Sequence, residues 1–189
     1  MADRDEARKF EQSLLDLLDD AYNLARWLLR DDQEAQDAVQ DAFMRAMRYA
    51  GGFRGGDRRA WLLAIVRNVC YTQLSRSRAA ATNVVFDEEQ HQGPALLLIL
   101  KRRRLPGVDR EALMRALEAL PVEYREAIVM REMEGLSYKE IAGAAGVPIG
   151  TVMSRLARAR ERLRIALGVK AGERGKPGRP GDVRELQRR

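Results

Sequence analysis

The stretch from Glu134 to Leu163 constrains this chain more than any other thirty residues. Ser137 is a favourable N-cap, and Glu140 three residues later completes a capping box, so a short helix is expected over about Tyr138 to Ala145. Gly146 ends it. Pro148 suits the first turn of a following helix, where its missing N–H would have had no partner, and Gly150 and Thr151 are small enough to approach a phosphate closely. Two helices joined by a tight glycine turn are the outline of a helix-turn-helix. On the second helix Val152, Leu156, Ala159 and Leu163 recur at spacings of four, three and four, which defines a stripe facing inward. Thr151, Arg155, Arg158 and Arg162 form the adjacent stripe, with Ser154 and, on the preceding helix, Lys139 nearby. Hydroxyl and guanidinium groups beside a buried stripe suit the major groove, where arginine bonds guanine O6 and N7 bidentately. Arg160 and Arg164 add charge that can reach the backbone. An arginine-rich amphipathic helix on its own is commonly just a solvated helix. The caps, the turn and the preceding short helix are what favour DNA.

The rest of the chain is predicted to be helical too. Ala, Leu, Arg and Glu dominate and no stretch makes a convincing strand, so the expected fold is all-α, with two small helical domains joined by a flexible linker. The first domain spans residues 1–78. Leu14, Leu17, Leu18, Tyr22, Ala25, Leu28 and Leu29 follow helical spacing, Asp31-Asp32 offers a break and a cap, and a second helix presents Asp37, Gln40 and Asp41 on an exposed side. A basic loop with Gly51, Gly52, Gly55 and Gly56 around Phe53-Arg54 leads to a third helix from near Arg58. There Trp61, Leu62, Ile65, Val66 and Val69 face the core, and Arg59, Arg67, Asn68, Gln73 and Arg76 are more exposed. The linker, residues 79–108, holds Gly93-Pro94, Pro106-Gly107 and a run of Leu96 to Leu100 followed by Lys101 to Arg104, readable as a short helix docked on a partner or on its own protein. The second domain, 109–167, opens with a helix that Pro121 stops and another over Glu123 to Glu134. Residues 168–189, with seven Lys/Arg against three acids, are expected to be a disordered basic tail.

Charge is unevenly placed. Residues 1–41 carry five Lys/Arg against twelve Asp/Glu, and 42–78 carry eight against Asp57 alone. Either two faces serve two partners, one of them nucleic acid, or the segments neutralise each other. The single cysteine, Cys70, lies among apolar helix positions, as a small buried thiol would in a reducing cytoplasm. No apolar run is long enough to span a bilayer, and no signal peptide is apparent, so a cytoplasmic protein without membrane insertion is expected. His91 stands alone, no Cys/His set could bind zinc, and neither a phosphate loop nor a nucleophile elbow occurs. Neither an enzyme nor a cofactor is expected.

Residues 116–167, from Ala116-Leu-Glu-Ala-Leu-Pro-Val-Glu-Tyr-Arg-Glu-Ala-Ile128 onward, resemble the promoter minus-35-reading domain of bacterial sigma factors. Ala35-Gln-Asp-Ala-Val-Gln-Asp-Ala-Phe43 resembles the family's core-polymerase-binding helix, and Ala60-Trp-Leu-Leu-Ala-Ile-Val-Arg-Asn68 its minus-10-reading helix. Nothing resembles the domain that larger sigma factors carry between these two, which is the layout of the extracytoplasmic-function (ECF) group of the sigma-70 family. The resemblance implies that Asp37, Gln40, Asp41 and Phe43 contact the clamp of the largest subunit of core RNA polymerase, with the flap as a further contact. It implies that Arg54, Arg58, Arg59, Arg67, Asn68 and Arg76 serve the minus-10 strand. Lys139, Thr151, Ser154, Arg155, Arg158 and Arg162 would serve the minus-35 duplex, and an anti-sigma factor would hold the protein inactive. Capturing a flipped base costs a few kcal/mol, offset by a pocket and by backbone contacts from cations. Trp61 fits a core role better than a stacking one. Gln36 stands where the family usually has an acid, and Met153 where a lysine is common, which implies loss of a phosphate contact there. Two other functions compete: a sigma mimic that titrates an anti-sigma factor, against which Asn68, Arg155 and Arg158 speak, and a polymerase-independent helix-turn-helix regulator, against which Asp37, Gln40 and Asp41 speak.

Overall fold

The computed structural model describes residues 2–53, 55–80 and 109–168, and every regular element among them is helical. The predicted linker from 81 onward, including His91 and the Leu96 to Arg104 run, lies outside the described residues, as do Arg54 and the tail from 169.

The first unit comprises α1 (Ala2–Leu15), α2 (Leu18–Leu29), α3 (Asp32–Arg48) and α4 (Arg58–Ala80). The apolar periodicity expected to make one helix from Leu14 to Leu29 is interrupted by a turn at Asp16–Leu17, where the Leu17 amide donates to the Leu14 carbonyl at 3.0 Å. Asp31 caps α3 as expected, its carboxylate accepting from the Glu34 amide at 2.7 Å. The stripe that α3 buries is Ala35, Ala38, Ala42 and Ala46, and methyl groups alone let α2 and α4 approach its backbone closely. Against it pack Leu24 and Leu28 of α2, and Leu62, Leu63, Val66 and Val69 of α4. Cys70 is buried, and burial pushes its thiol up to about 12, so it is an unreactive core group. Helix α4 continues to Ala80, past the expected end of the unit at residue 78.

The second unit contains α5 (Arg110–Glu118), α6 (Val122–Ile128), α7 (Tyr138–Ala145) and α8 (Ile149–Ala166). The helix expected over Glu123 to Glu134 starts one residue earlier and widens into a π-type turn over Val129–Met133, with the Glu134 amide reaching back to the Val129 carbonyl at 3.0 Å. Buried Arg125 donates to the Glu118 carbonyl at 2.7 Å, giving a partner to a carbonyl that the end of α5 leaves orphaned. Burial lowers that guanidinium to about 10.

The helix-turn-helix forms as read. The Ser137 hydroxyl accepts from the Glu140 amide at 3.2 Å, the Glu140 carboxylate accepts from the Ser137 amide at 2.6 Å, and Gly146 closes α7 in the left-handed region (φ 65°). These bonds hold the Glu140 carboxyl below the usual range. Ser137→Ala removes one half of the box, and we expect a loss of about 1 kcal/mol, read as a lower denaturant midpoint at unchanged slope. Helix α8 buries Val152, Leu156 and Ala159, with Leu163 half-buried.

The two units are not held apart. Helix α4 of the first packs on α7 of the second, and α2 lies against α6.

Candidate nucleic-acid and protein interfaces

Helix α3 turns its alanine stripe inward, so Asp37, Gln40 and Asp41 are exposed and Phe43 is half-buried. The Asp41 carboxylate is gripped by Arg45 of the same helix through two bonds at 3.0 and 2.9 Å, and Asp37 accepts from Gln33 at 3.2 Å. Gln40 and Phe43 join Leu18, Tyr22, Val39 and Met44 in lining a groove of about 420 Å³ between α2 and α3. Met44 is 61% exposed beside it. The arrangement is an apolar slot bordered by carboxylates, which suits an amphipathic partner surface carrying positive charge.

The second group starts at the glycine loop. Gly55 and Gly56 take φ of 86° and 99°, a region closed to most side chains, so the chain can turn sharply into α4. Phe53 of the loop, Phe10 of α1 and Trp61 of α4 form a three-ring cluster with centroids 5.4 to 6.0 Å apart. Trp61 is half-buried in it, in keeping with a packing role. The Arg58 guanidinium covers the outer side, 5.5 Å from the Phe10 ring and 5.7 Å from that of Phe53. Asn68 and Arg76 are exposed along α4.

Arg59 and Arg67 are placed otherwise than a free DNA-facing stripe would require: both reach across to the second unit. Arg67 is paired with the Glu126 carboxylate, which is 1% exposed and also accepts from the Tyr71 hydroxyl at 2.7 Å. The guanidinium lies over the Tyr71 ring, 4.2 Å from its centroid. Arg59 bridges Asp20 of its own unit and Glu134 of the other, both at 2.8 Å, and Asn23 donates to Glu134 as well. Sequence reasoning missed Glu126, Glu134, Asn23 and Tyr71. One signal was present: Glu126 directly precedes the apolar run Ala127 to Met130.

Burial pushes the Glu134 carboxyl up to about 7, against the downward pull of its bonds from Asn23 and Arg59. All its polar partners belong to the other unit, so separation returns it to water and to its ordinary 4.5. The closed form thus holds a proton that an opened form releases, and closure is strongest at low pH and weakens as pH rises through about 7. The distance between labels on α2 and α6 should therefore grow from pH 6 to pH 8, and Glu134→Gln should remove that dependence.

The third group lies on the helix-turn-helix. Lys139 and Ser154 are exposed, and Ser154 donates to the Thr151 carbonyl at 2.9 Å. Thr151 and Arg155 are half-buried, and Arg158 and Arg162 are exposed. Tyr124 of α6 steadies the latter two: its hydroxyl accepts from Arg158 at 3.4 Å, and Arg162 sits 5.3 Å from its ring centroid. Arg160 is tied instead to Glu132 at 2.8 Å. Among the described residues no group of His, Cys, Asp or Glu could hold a metal, and no helix is long and apolar enough to cross a membrane.

Residues 14–80 match the model for sigma-70 region 2, and residues 110–163 that for sigma-70 region 4. The chain is 35% identical over 158 residues to the ECF RNA polymerase sigma factor SigE of Mycolicibacterium smegmatis, covering 82% of this chain and 60% of that protein. It is 34% identical over 171 residues to the RNA polymerase sigma-H factor of Pseudomonas aeruginosa, covering 87% and 89%. In structure it is similar to the sigma factor RpoE crystallised with the anti-sigma factor NepR from Bartonella quintana, with a TM-score of 0.72, 32% identity, and 86% of this chain and 99% of that one covered.

Proposed function

We propose a function for this chain from one premise: it belongs to the extracytoplasmic-function group of the sigma-70 family of RNA polymerase sigma factors. It is a transcription initiation factor and not an enzyme. The α3 face, with Asp37, Gln40, Asp41 and Phe43 beside the apolar groove, docks on the clamp of the largest polymerase subunit. The glycine loop and the α4 residues Arg58, Arg59, Arg67, Asn68 and Arg76 hold the minus-10 strand, together with Arg54. The helix-turn-helix, through Lys139, Thr151, Ser154, Arg155, Arg158 and Arg162, reads minus-35 duplex, and the same unit meets the polymerase flap. The observation that carries this is the pairing on one chain of an acid-bordered apolar groove with a helix-turn-helix whose outer face is cationic. A DNA-binding regulator working alone has no use for the former.

The ion pairs between the units add a condition. Arg59 and Arg67 are bonded to Glu134 and Glu126, so they reach a DNA strand only after α4 parts from the second unit. We expect polymerase binding to drive that separation by engaging each unit at its own site. An anti-sigma factor, as seen bound to the similar RpoE, would act in the cytoplasm by holding the units away from polymerase.

The test is co-elution of the full chain with bacterial core polymerase, followed by run-off transcription from a randomised promoter pool. Co-elution with start sites at a shared sequence supports the proposal. Co-elution without transcripts would indicate a mimic, and absence of co-elution a regulator that works without polymerase.

A further inference from the structure

Two of the large apolar side chains left in solvent stand one turn apart at the start of the recognition helix. Ile149 is 46% and Met153 54% exposed, while Val152, Leu156 and Ala159 take the buried stripe of α8. Neither is needed to close the core. Single exposed apolar residues need no explanation, but these two share the end of the helix that a helix-turn-helix inserts into the major groove. Their surroundings are those of a DNA-facing surface, with Ser154 beside them and Arg155 and Arg158 on the following turns. In that groove the one apolar group on a base edge is the 5-methyl of thymine.

We propose, resting on the reading of α8 as the minus-35-reading helix, that Ile149 and Met153 form an apolar pair that selects thymine methyl groups in the minus-35 duplex. The pair makes this chain's base preference depend on A·T pairs at its leading edge, with the arginines further along the helix taking guanine or phosphate. Residues four apart on a helix are separated by about 6 Å along its axis, and base pairs by about 3.4 Å, so the two methyls belong to thymines within about two base steps of each other. Thr151, half-buried between them in sequence, is less able to reach those positions. Met153 is thus a base-reading residue of the chain, rather than only a position where a phosphate contact has been lost.

The test uses holoenzyme, made from core polymerase and the full chain, on a promoter recovered from the randomised pool. Deoxyuridine replaces thymine at each minus-35 position in turn, which deletes the methyl and leaves every hydrogen bond in place. We expect about fourfold weaker promoter binding for each of two nearby methyl deletions, the equivalent of ~0.8 kcal/mol for one buried carbon group. With Met153→Ala one of those sensitivities disappears, and with Ile149→Ala the other. Met153→Leu, which keeps an apolar side chain, retains it. Helical content of each variant, compared with that of the parent chain, separates loss of contact from loss of fold. Selected promoters without thymine in the minus-35 element, indifference to deoxyuridine at every position, or losses that simply add to those of the alanine variants would overturn the proposal while leaving the sigma-factor reading intact. Failure to recover any promoter would sink both.

Discussion

Arg67→Ala is expected to separate the two helical units without unfolding either. Glu126 is 1% exposed, and its carboxylate is held by the Arg67 guanidinium and by the Tyr71 hydroxyl at 2.7 Å. Removing the cation leaves a buried charge with one neutral donor, and such a loss typically costs 3–5 kcal/mol. Unfolding would relieve it, but so would a smaller movement. The buried apolar side chains of the two units join in one continuous cluster, within which Leu24, Leu28, Leu62 and Val66 belong to the packing of α2, α3 and α4 on one another and Leu117, Met130, Ile141 and Leu156 to that of the second unit's own helices. Parting α6 from α2 and α4 hydrates Glu126 and gives up the apolar contact across the seam, while the helices of each unit stay packed on one another. Energy transfer between labels on the two units should fall, the radius of gyration by small-angle scattering should rise, and the helical signal should stay within a few per cent of the parent. A large drop in melting temperature at unchanged inter-unit distance would show instead that the two units unfold as one body.

The same pair allows a comparison that closure alone does not. Glu126→Gln keeps one oxygen to accept from Arg67 and turns an N–H toward the Tyr71 hydroxyl, which can accept it, but removes the charge, so it weakens the closed form less than Arg67→Ala does and leaves the guanidinium available. If Arg67 serves the minus-10 strand, Glu126→Gln increases capture of single-stranded minus-10 oligonucleotide by the free chain, whereas Arg67→Ala lowers it although the molecule is more open. Equal behaviour of the two variants would remove Arg67 from the DNA-contacting set.

The helix-turn-helix was legible because its determinants are local. Ser137, Glu140, Gly146 and Pro148 act within a few residues of themselves, and the three-four spacing of Val152, Leu156 and Ala159 fixes which side is buried. The exposure of Asp37, Gln40 and Asp41 was legible for a related reason, since Ala38 and Ala42 at helical spacing leave them outside; the structure completes that buried stripe with Ala35 and Ala46 and leaves Met44 in solvent. The turn at Asp16–Leu17 was not, because the apolar periodicity passes through it unchanged. The contact between the units was least legible. Arg67 and Glu126 are 59 residues apart, and Arg59 and Glu134 are 75 apart. To a helical pattern they are charges on polar sides, which is also how a nucleic-acid face looks. Periodicity tells which residues avoid a helix's own core, but it does not tell whether the face so formed meets water, DNA or another polar face of the same chain. Glu126 carried a local hint, a carboxylate directly before four apolar residues, but nothing in that pattern pointed to Arg67 or Tyr71 as its partners.

Asp41→Arg should abolish binding to core polymerase while leaving the fold and the free chain's closure intact. Asp41 and its partner Arg45 are about half exposed, at 47% and 45%, so neither supports the core and the substitution meets no packing constraint. The substitution removes the carboxylate that balances Arg45 and adds a second cation one turn away, a change of two charges on the border of the apolar groove. A basic partner surface that had met an acid then meets two like charges, a juxtaposition that costs several kcal/mol. At ~1.4 kcal/mol per tenfold change, this takes a submicromolar complex out of the range in which it survives a sizing column. Met44→Asp separates the electrostatic and apolar parts of the docking. It adds an acid, which favours a basic partner, but removes an apolar group that is 61% exposed at the groove. If the groove receives an apolar anchor from polymerase, Met44→Asp weakens core binding despite its favourable charge. If charge alone governs docking, it strengthens binding. Either result leaves minus-35 duplex binding by an isolated α8 surface unaltered, because the α3 face and the recognition helix lie on different units. Loss of transcription in Asp41→Arg without loss of DNA contact would therefore place polymerase recruitment on α3, and retained transcription would remove that helix from the polymerase interface.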